Sequence, residues 1–196
     1  MKRLVLLIVV LSIGMSGTMQ AQSKREKARE ARKAREEQRK EERKQKEALE
    51  DAISYTDALQ AINSQSFVVE ANTLQPRSGR MFFVNPTTNF LAVSNGQATV
   101  QIASNSAINP GPNGLGGITV QGSTSDVKIK KDNKGNVFLS MSVQGVIISA
   151  TVTVQLAADS NNAVVTVDPN FSGNILTLTG SLIPTSMSNI FMGSTI

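Results

Sequence analysis

The chain has 196 residues, with 20 Lys or Arg against 15 Asp or Glu, a formal net charge of +5, and no His, Cys or Trp. Without His or Cys it lacks the commonest general base, the thiolate nucleophile and the usual zinc, copper and iron ligands, which excludes a His-built metal hydrolase and a cysteine enzyme. It can form no disulfide and offers no thiol for a lipid, so an exported form must be held by its core alone.

Met1, Lys2 and Arg3 form a positive start, residues 4–11 are almost unbroken apolar, and Gly14, Ser16 and Gly17 lead into Met19-Gln20-Ala21-Gln22. This is the pattern of a secretory signal peptide over residues 1–21, with cleavage after Ala21 and a mature chain beginning at Gln22. The alternative, a retained anchor, fails on length, because about ten apolar residues fall short of the roughly 20 that span a bilayer as a helix. Export without cysteine points to a bacterial periplasm or to the cell surface and secretion.

Residues 22–51 read as a charged helical spacer. Residues 23–51 hold twelve Lys or Arg and nine Asp or Glu, and Ala28, Ala31, Ala34, Ala48 and Leu49 are their only apolar side chains. Ala, Glu, Lys, Arg and Gln are strong helix formers. Glu36 with Lys40 and Glu42 with Lys46 stand at i, i+4 in the favourable order, and Glu41 with Lys44 at i, i+3. With no apolar a/d stripe, this helix of about 43 Å is no coiled coil by itself. Three roles suit it: a solvated spacer, a binder of acidic lipid, envelope polymer or nucleic acid, or a dock for a partner helix. Interleaved Glu cuts its net charge to +3 and no aromatic residue is present to stack on bases, which argues against nucleic acid. Leu49, Ile53, Leu59 and Ile62, joined by Ala52, Thr56 and Ala58, predict that the helix docks at its last turns on the domain formed by residues 52–196.

That domain is electrically neutral, with six Lys or Arg against six Asp or Glu. It reads as about ten short strands: residues 67–70, 80–84, 90–94, 97–102, 117–121, 127–131, 137–143, 146–156, 163–167 and 175–182. The clearest is 146–156, where Val146, Ile148, Ala150, Val152, Val154 and Leu156 alternate with Ile147, Ser149, Thr151, Thr153 and Gln155. Such a period puts an apolar face into a core and a hydroxyl-rich face towards water. Asn95-Gly96 between two apolar runs predicts a tight hairpin. The spacing predicts a mainly β fold, an antiparallel meander curling into a barrel or half-barrel, preceded by the long charged N-terminal α-helix. Beyond Pro184 the pattern breaks, leaving a tail that covers a sheet edge or hangs loose.

The chemistry available to this body is narrow. Asp132, Asp159 and Asp168 stand where turns are expected. A two-carboxylate glycosidase would draw on Asp57, Glu70 and Asp126, with no spacing in its favour. Asp132-Asn133-Lys134-Gly135-Asn136 faintly matches a calcium loop but lacks the later bidentate Glu and carries a Lys. The run Asn109-Pro110-Gly111-Pro112-Asn113-Gly114-Leu115-Gly116-Gly117 leads into a strand rather than a helix, so it is no phosphate cradle. Its glycines suit positive φ and close backbone approach. At a barrel mouth such a loop would still meet a ligand, with Asn109, Asn113, Gly114 and Gly116 as the contacting residues. Neither catalytic nor metal-binding residues, nor a cofactor, are assigned.

Asn89-Phe90-Leu91-Ala92-Val93, Gln97-Ala98-Thr99-Val100-Gln101 and above all Asn113-Gly114-Leu115-Gly116-Gly117-Ile118-Thr119-Val120 resemble the exported proteins grouped as domain of unknown function 4251. The order of parts is also similar: leader, Lys/Arg/Glu-rich helix, then a β domain with a Lys-Gly-Asn hairpin and a late Gly-Ser-Leu segment. The resemblance implies a lipocalin-like meander in the cell envelope of Bacteroidota-like bacteria, and no residue role carries over. The reading is an exported, non-catalytic envelope module that binds an apolar small ligand or an envelope component. The alternatives are a scaffold acting through the charged helix and, last, a carboxylate hydrolase.

Overall fold

The computed structural model describes residues 2–104 and 111–195, with side chains described from residue 29 onward. The chain divides into two compact units, Met1–Leu49 and Glu50–Ile196, and one helix, α1 (Lys2–Asn63), runs through the first and opens the second.

In the first unit the side chains of residues 29–49 are exposed on every face of the helix. Glu36 and Lys40 pair at 3.0 Å, Arg43 and Glu47 at 3.4 Å, and Glu41 and Lys44 at 3.9 Å. All six side chains are well exposed, so each pair contributes about 0.3 kcal/mol and the rest of the helical tendency is intrinsic propensity.

In the second unit the last turns of α1 join the core through Tyr55, Ala58, Leu59, Ala61 and Ile62. The expected docking face needs correction at its start, because Leu49 and Ile53 are 62% and 54% exposed. At about 100° per residue Ile53 lies half a turn round the helix from Ile62, whereas positions 55, 58, 59 and 62 share one stripe. The helix stops at Gln65, whose φ of 53° reverses the chain. Ser66 N–H donates to Ala61 O and Gln65 N–H to Ile62 O, the paired bonds of a Schellman ending with Gln in the usual glycine position.

Nine strands follow among the described residues: β1 (Phe67–Pro76), β2 (Phe82–Phe83), β3 (Phe90–Ser94), β4 (Gln97–Ile102), β5 (Ile118–Lys131), β6 (Val137–Gln144), β7 (Ser149–Leu156), β8 (Asn162–Pro169) and β9 (Leu176–Pro184). Every pairing is antiparallel, each strand from β3 to β9 pairs with the next, and β9 returns to β1 along its whole length. β1 also pairs with β3, so eight strands close a barrel of lipocalin-like form, and β2 adds two residues beside Thr73 and Leu74 of β1. Closure removes the exposed edges that an open sheet would carry.

Several boundaries differ from the sequence pattern. The expected strands 117–121 and 127–131 are one long β5 that starts at Ile118, and its register slips between Ser125 and Lys128 where Asp126 takes a φ of 52°. The bulge reverses the inside-outside alternation and so splits one strand into two apparent ones. β1 runs past Glu70 to Pro76 through a second slip between Ala71 and Thr73. β7 begins only at Ser149, and Val146 is 98% exposed in the preceding turn rather than facing the core. The Asn95-Gly96 hairpin forms as expected, with φ values of 52° and 72°.

Inside the barrel, Val137, Leu139, Met141 and Val143 of β6 stand opposite Leu156, Val154, Val152 and Ala150 of β7, all of them buried. Phe67, Val69, Leu91, Val165, Leu178 and Leu182 fill the same space. One end is closed by α1: Ile62 and Ala58 are fully buried there, Tyr55 Oη donates to Gly135 O in the β5–β6 turn, and Lys131 Nζ lies 5.5 Å from the Tyr55 ring centroid.

The residues after β9 pass through a single 3-10 turn, Thr185–Met187, and run back over the outer face of β1, β3 and β4. Ser188 Oγ bonds Glu70 Oε1 at 2.7 Å, Phe191 N–H donates to Thr87 O at 2.8 Å, and Gly193 N–H donates to Gln101 Oε1 at 2.7 Å. The tail is a strap that shields a sheet face.

Asp132 organises the β5–β6 turn. Its Oδ1 accepts from the backbone N–H groups of Lys134 and Asn136, and its Oδ2 accepts from Asn136 Nδ2 at 2.8 Å. The side-chain amide of Asn136 is the chief cause that lowers its pKa from the ordinary carboxylate value. A lowered native pKa means that the stabilisation is present above the unfolded-state value and is lost as pH falls through the native one. The Asp132→Asn variant should therefore lose less thermal stability than the wild type on acidification below about pH 4. Melting curves across that range check this, and parallel acid limbs would refute it.

Candidate functional site at the barrel mouth

Among the described residues, the end opposite α1 is open. There the ends of β4 and β5 at Ile102 and Ile118, the β6–β7 turn and the β8–β9 loop surround a cavity of about 350 Å³. Val100, Val120, Ile148, Val167 and Leu176 form its floor and walls, and Ile118, Ile147 and Phe171 stand at its rim. Ser149, Ser172 and Asn174 are the polar side chains around it, and no charged side chain is among the lining residues. Val120, Ile148 and Leu176 are only half-buried although they pack against the core cluster, so the uppermost interior layer is left open to the mouth. Ile102 lines this cavity and also an adjoining groove that holds Phe82 and Phe83.

This geometry suits shape-based capture of an apolar body, with a hydroxyl or amide contact at the rim. It offers no acid, base or nucleophile pair of the kind that bond cleavage needs. The three carboxylates considered for hydrolysis lie elsewhere. Asp57 is on α1 beside a polar groove with Ser64, Ser66 and Thr185, Glu70 meets Ser188 of the strap, and Asp126 is exposed in the β5 bulge.

The loop residues expected to contact a ligand are placed differently from one another. Asn109 lies outside the described residues. Asn113 is 2% exposed, and its amide is fully engaged: Nδ2 donates to Ile102 O and Thr119 Oγ1, and Oδ1 accepts from the N–H groups of Leu115 and Gly117. It holds the loop together rather than facing a ligand. Gly114 and Gly116 have φ values of 75° and 78°, as positive-φ loop glycines, and Gly116 O accepts from Ser104 Oγ at 2.8 Å. None of Asn113, Gly114 and Gly116 is among the residues lining the cavity. The rim residues Ile118, Ile147 and Phe171 were not singled out from the sequence. Their signal was bulky apolar residues beside or inside turns, where small and polar residues usually stand.

Among curated proteins none matches. A crystal structure of a DUF4251 family protein from Bacteroides eggerthii matches with a TM-score of 0.63 and 49% identity, over 74% of this chain and 96% of that one. The family model described as domain of unknown function (DUF4251) matches residues 49–182, the end of α1 together with nearly the whole barrel. The chain belongs to the DUF4251 family.

Proposed function

We propose that this chain is an exported, non-catalytic protein of the bacterial cell envelope whose barrel mouth binds a small apolar ligand. The observation that carries the reading is the open cavity itself, which is lined by the half-buried Val120, Ile148 and Leu176 and by no charged side chain. Its volume of about 350 Å³ falls within the range of small-molecule pockets, and its burial of apolar surface supplies the driving force. The signal-peptide pattern of residues 1–21 supports export, with the mature chain beginning at Gln22 in the periplasm or at the cell surface. The neutral charge of residues 52–196 supports an apolar ligand over nucleic acid.

Native mass spectrometry of protein isolated gently from its own envelope tests the reading. A reproducible added mass that leaves on denaturation is the expected result, and a bare chain mass counts against it. The Ile148→Trp variant, which fills the mouth from a half-buried turn position, should lower ligand retention at least about tenfold while changing stability by no more than about 1 kcal/mol. N-terminal sequencing of the same material tests export, with Gln22 as the expected first residue.

A second reading, a scaffold acting through its helix, is supported by the exposure of residues 29–49 on all faces. Deleting residues 23–47 should then release the protein from the envelope, whereas a ligand-binding barrel would remain there.

A further inference from the structure

Part of the mouth is left unexplained by a ligand in the cavity. Val146 is 98% exposed, Phe171 90% and Phe83 88%, on three separate segments of the same end of the barrel. Neither Val146 nor Phe83 is among the cavity-lining residues, so a bound small molecule would leave both in water. Bulky apolar side chains gathered on one end of a molecule mark an interaction surface.

We propose that this rim docks on the surface of an anionic lipid bilayer, with Phe83, Val146 and Phe171 entering the acyl layer and Arg77 and Arg80 meeting the headgroups. Shape favours a bilayer over a protein partner. Val146 and Phe171 stand in turns and Phe83 on the two-residue strand β2, and a soft acyl layer accepts apolar groups on separate segments without a matching surface.

Charge points the same way. Arg80 directly precedes Met81, Phe82 and Phe83, and Arg77 lies three residues earlier in the same β1–β2 connection, so basic and apolar groups stand on one segment. Arg80 forms no ion pair among the described residues, and the Arg77 guanidinium donates to the carbonyl of Gly173 at 3.1 Å, which leaves its charge uncompensated. Asp132 and Asp159 sit in the turns of the α1 end, and Asp168 is the carboxylate nearest the mouth, on the outer face of β8 opposite Thr151. Arg side chains near anionic headgroups attract the surface, and the effect weakens as salt rises.

The inference deepens the proposed function by naming the bilayer as the source and an acyl chain as the ligand, and only that last step rests on it. The test uses the chain from Gln22, which keeps the whole of the unit Glu50–Ile196 and omits the apolar leader, itself able to partition. The protein is sedimented with vesicles of phosphatidylethanolamine and phosphatidylglycerol at about 3:1. Wild type is expected in the pellet at low salt. The F83S/V146S pair, both exposed and outside the cavity, should lower partitioning about 30-fold, and R77Q/R80Q about tenfold. Wild type left in the supernatant, or F83S/V146S binding like wild type, overturns the proposal. A dimer in solution that F83S/V146S dissolves, with no vesicle binding, gives the rim to a second copy instead. Binding of cis-parinaric acid without vesicles reports on the cavity separately: Ile148→Trp should abolish it and leave sedimentation intact, while F83S/V146S should do the reverse.

Discussion

Replacing Gly180 with alanine is expected to destabilise the barrel by about 3 kcal/mol, although it adds only one methyl group. Gly180 is buried in β9, opposite Ala71 of β1 on one side and Ala163 of β8 on the other. A Cβ there would fall well inside the contact distance of the Glu70 carbonyl oxygen and 2.8 Å from Ala71 Cα. These are backbone atoms of the neighbouring strand, so no side chain can turn aside to make room. The clash also lies where β1 slips register between Ala71 and Thr73, at the seam that closes the barrel. Urea titration should show a midpoint lowered by about 1.5 M, with hydrogen exchange faster along β1 and β9. The exposed neighbour Thr179 is the control, since Thr179→Ala should change stability by less than about 0.5 kcal/mol. A wild-type midpoint for Gly180→Ala would show that the two strands separate more easily than this packing implies.

The second large effect is expected at Gln101. Its side chain is fully buried, and its amide is satisfied on both ends: Nε2 donates to Thr88 O at 3.0 Å and Phe191 O at 2.8 Å, and Oε1 accepts from Thr119 Oγ1 and Gly193 N–H. The one amide thus ties β4 to β5, to the segment before β3 and to the C-terminal strap. Leucine would keep the bulk and leave these partners without a bond in a site closed to water, at a loss of about 3 kcal/mol. The strap should be freed at the same time, making residues 189–195 sensitive to protease. A double-mutant cycle separates the two effects, because in a chain already lacking residues 189–196 Gln101→Leu should be milder by about 1–2 kcal/mol. Additivity in that cycle would mean that the strap gains nothing from Gln101.

Much of the architecture was legible because it follows from a two-residue period. Ala150, Val152, Val154 and Leu156 are buried while Thr151, Thr153 and Gln155 are exposed, as their alternation requires. Asn95-Gly96 is legible for a different reason, since few other pairs tolerate positive φ twice. What the pattern concealed lies where an element changes phase or breaks with its usual residue. A bulge at Asp126 reverses inside and outside within β5, and Gln65 ends α1 in place of the glycine that would have marked the turn. The docking face was misplaced because Leu49 and Ile53 are apolar by type but lie off the stripe that Ile62 defines.

The site was less legible than the fold. Polar loop residues attract attention as binding groups, yet Asn113 is inward and satisfied. The mouth is made instead by ordinary Val, Ile and Phe, whose identity does not distinguish a wall open to ligand from a packed core. Their role follows from depth along the strand, which becomes known only when the strands are aligned: Ile102 opposite Ile118 and Val167 opposite Leu176.

The joining of β1 to β9 also sets an order in time. The partner of Phe67 is Pro184, more than a hundred residues later in the chain, so the barrel cannot close until nearly all of it has been made. Until then the β9-facing side of β1 carries unpaired backbone groups that another molecule could capture. Contacts so distant in sequence slow folding, and the vulnerable interval lasts as long as β9 is delayed. A chain cut short before or within β9 would remain a half-finished cylinder with two sticky borders, and its fate would be set by which neighbour reached β1 first.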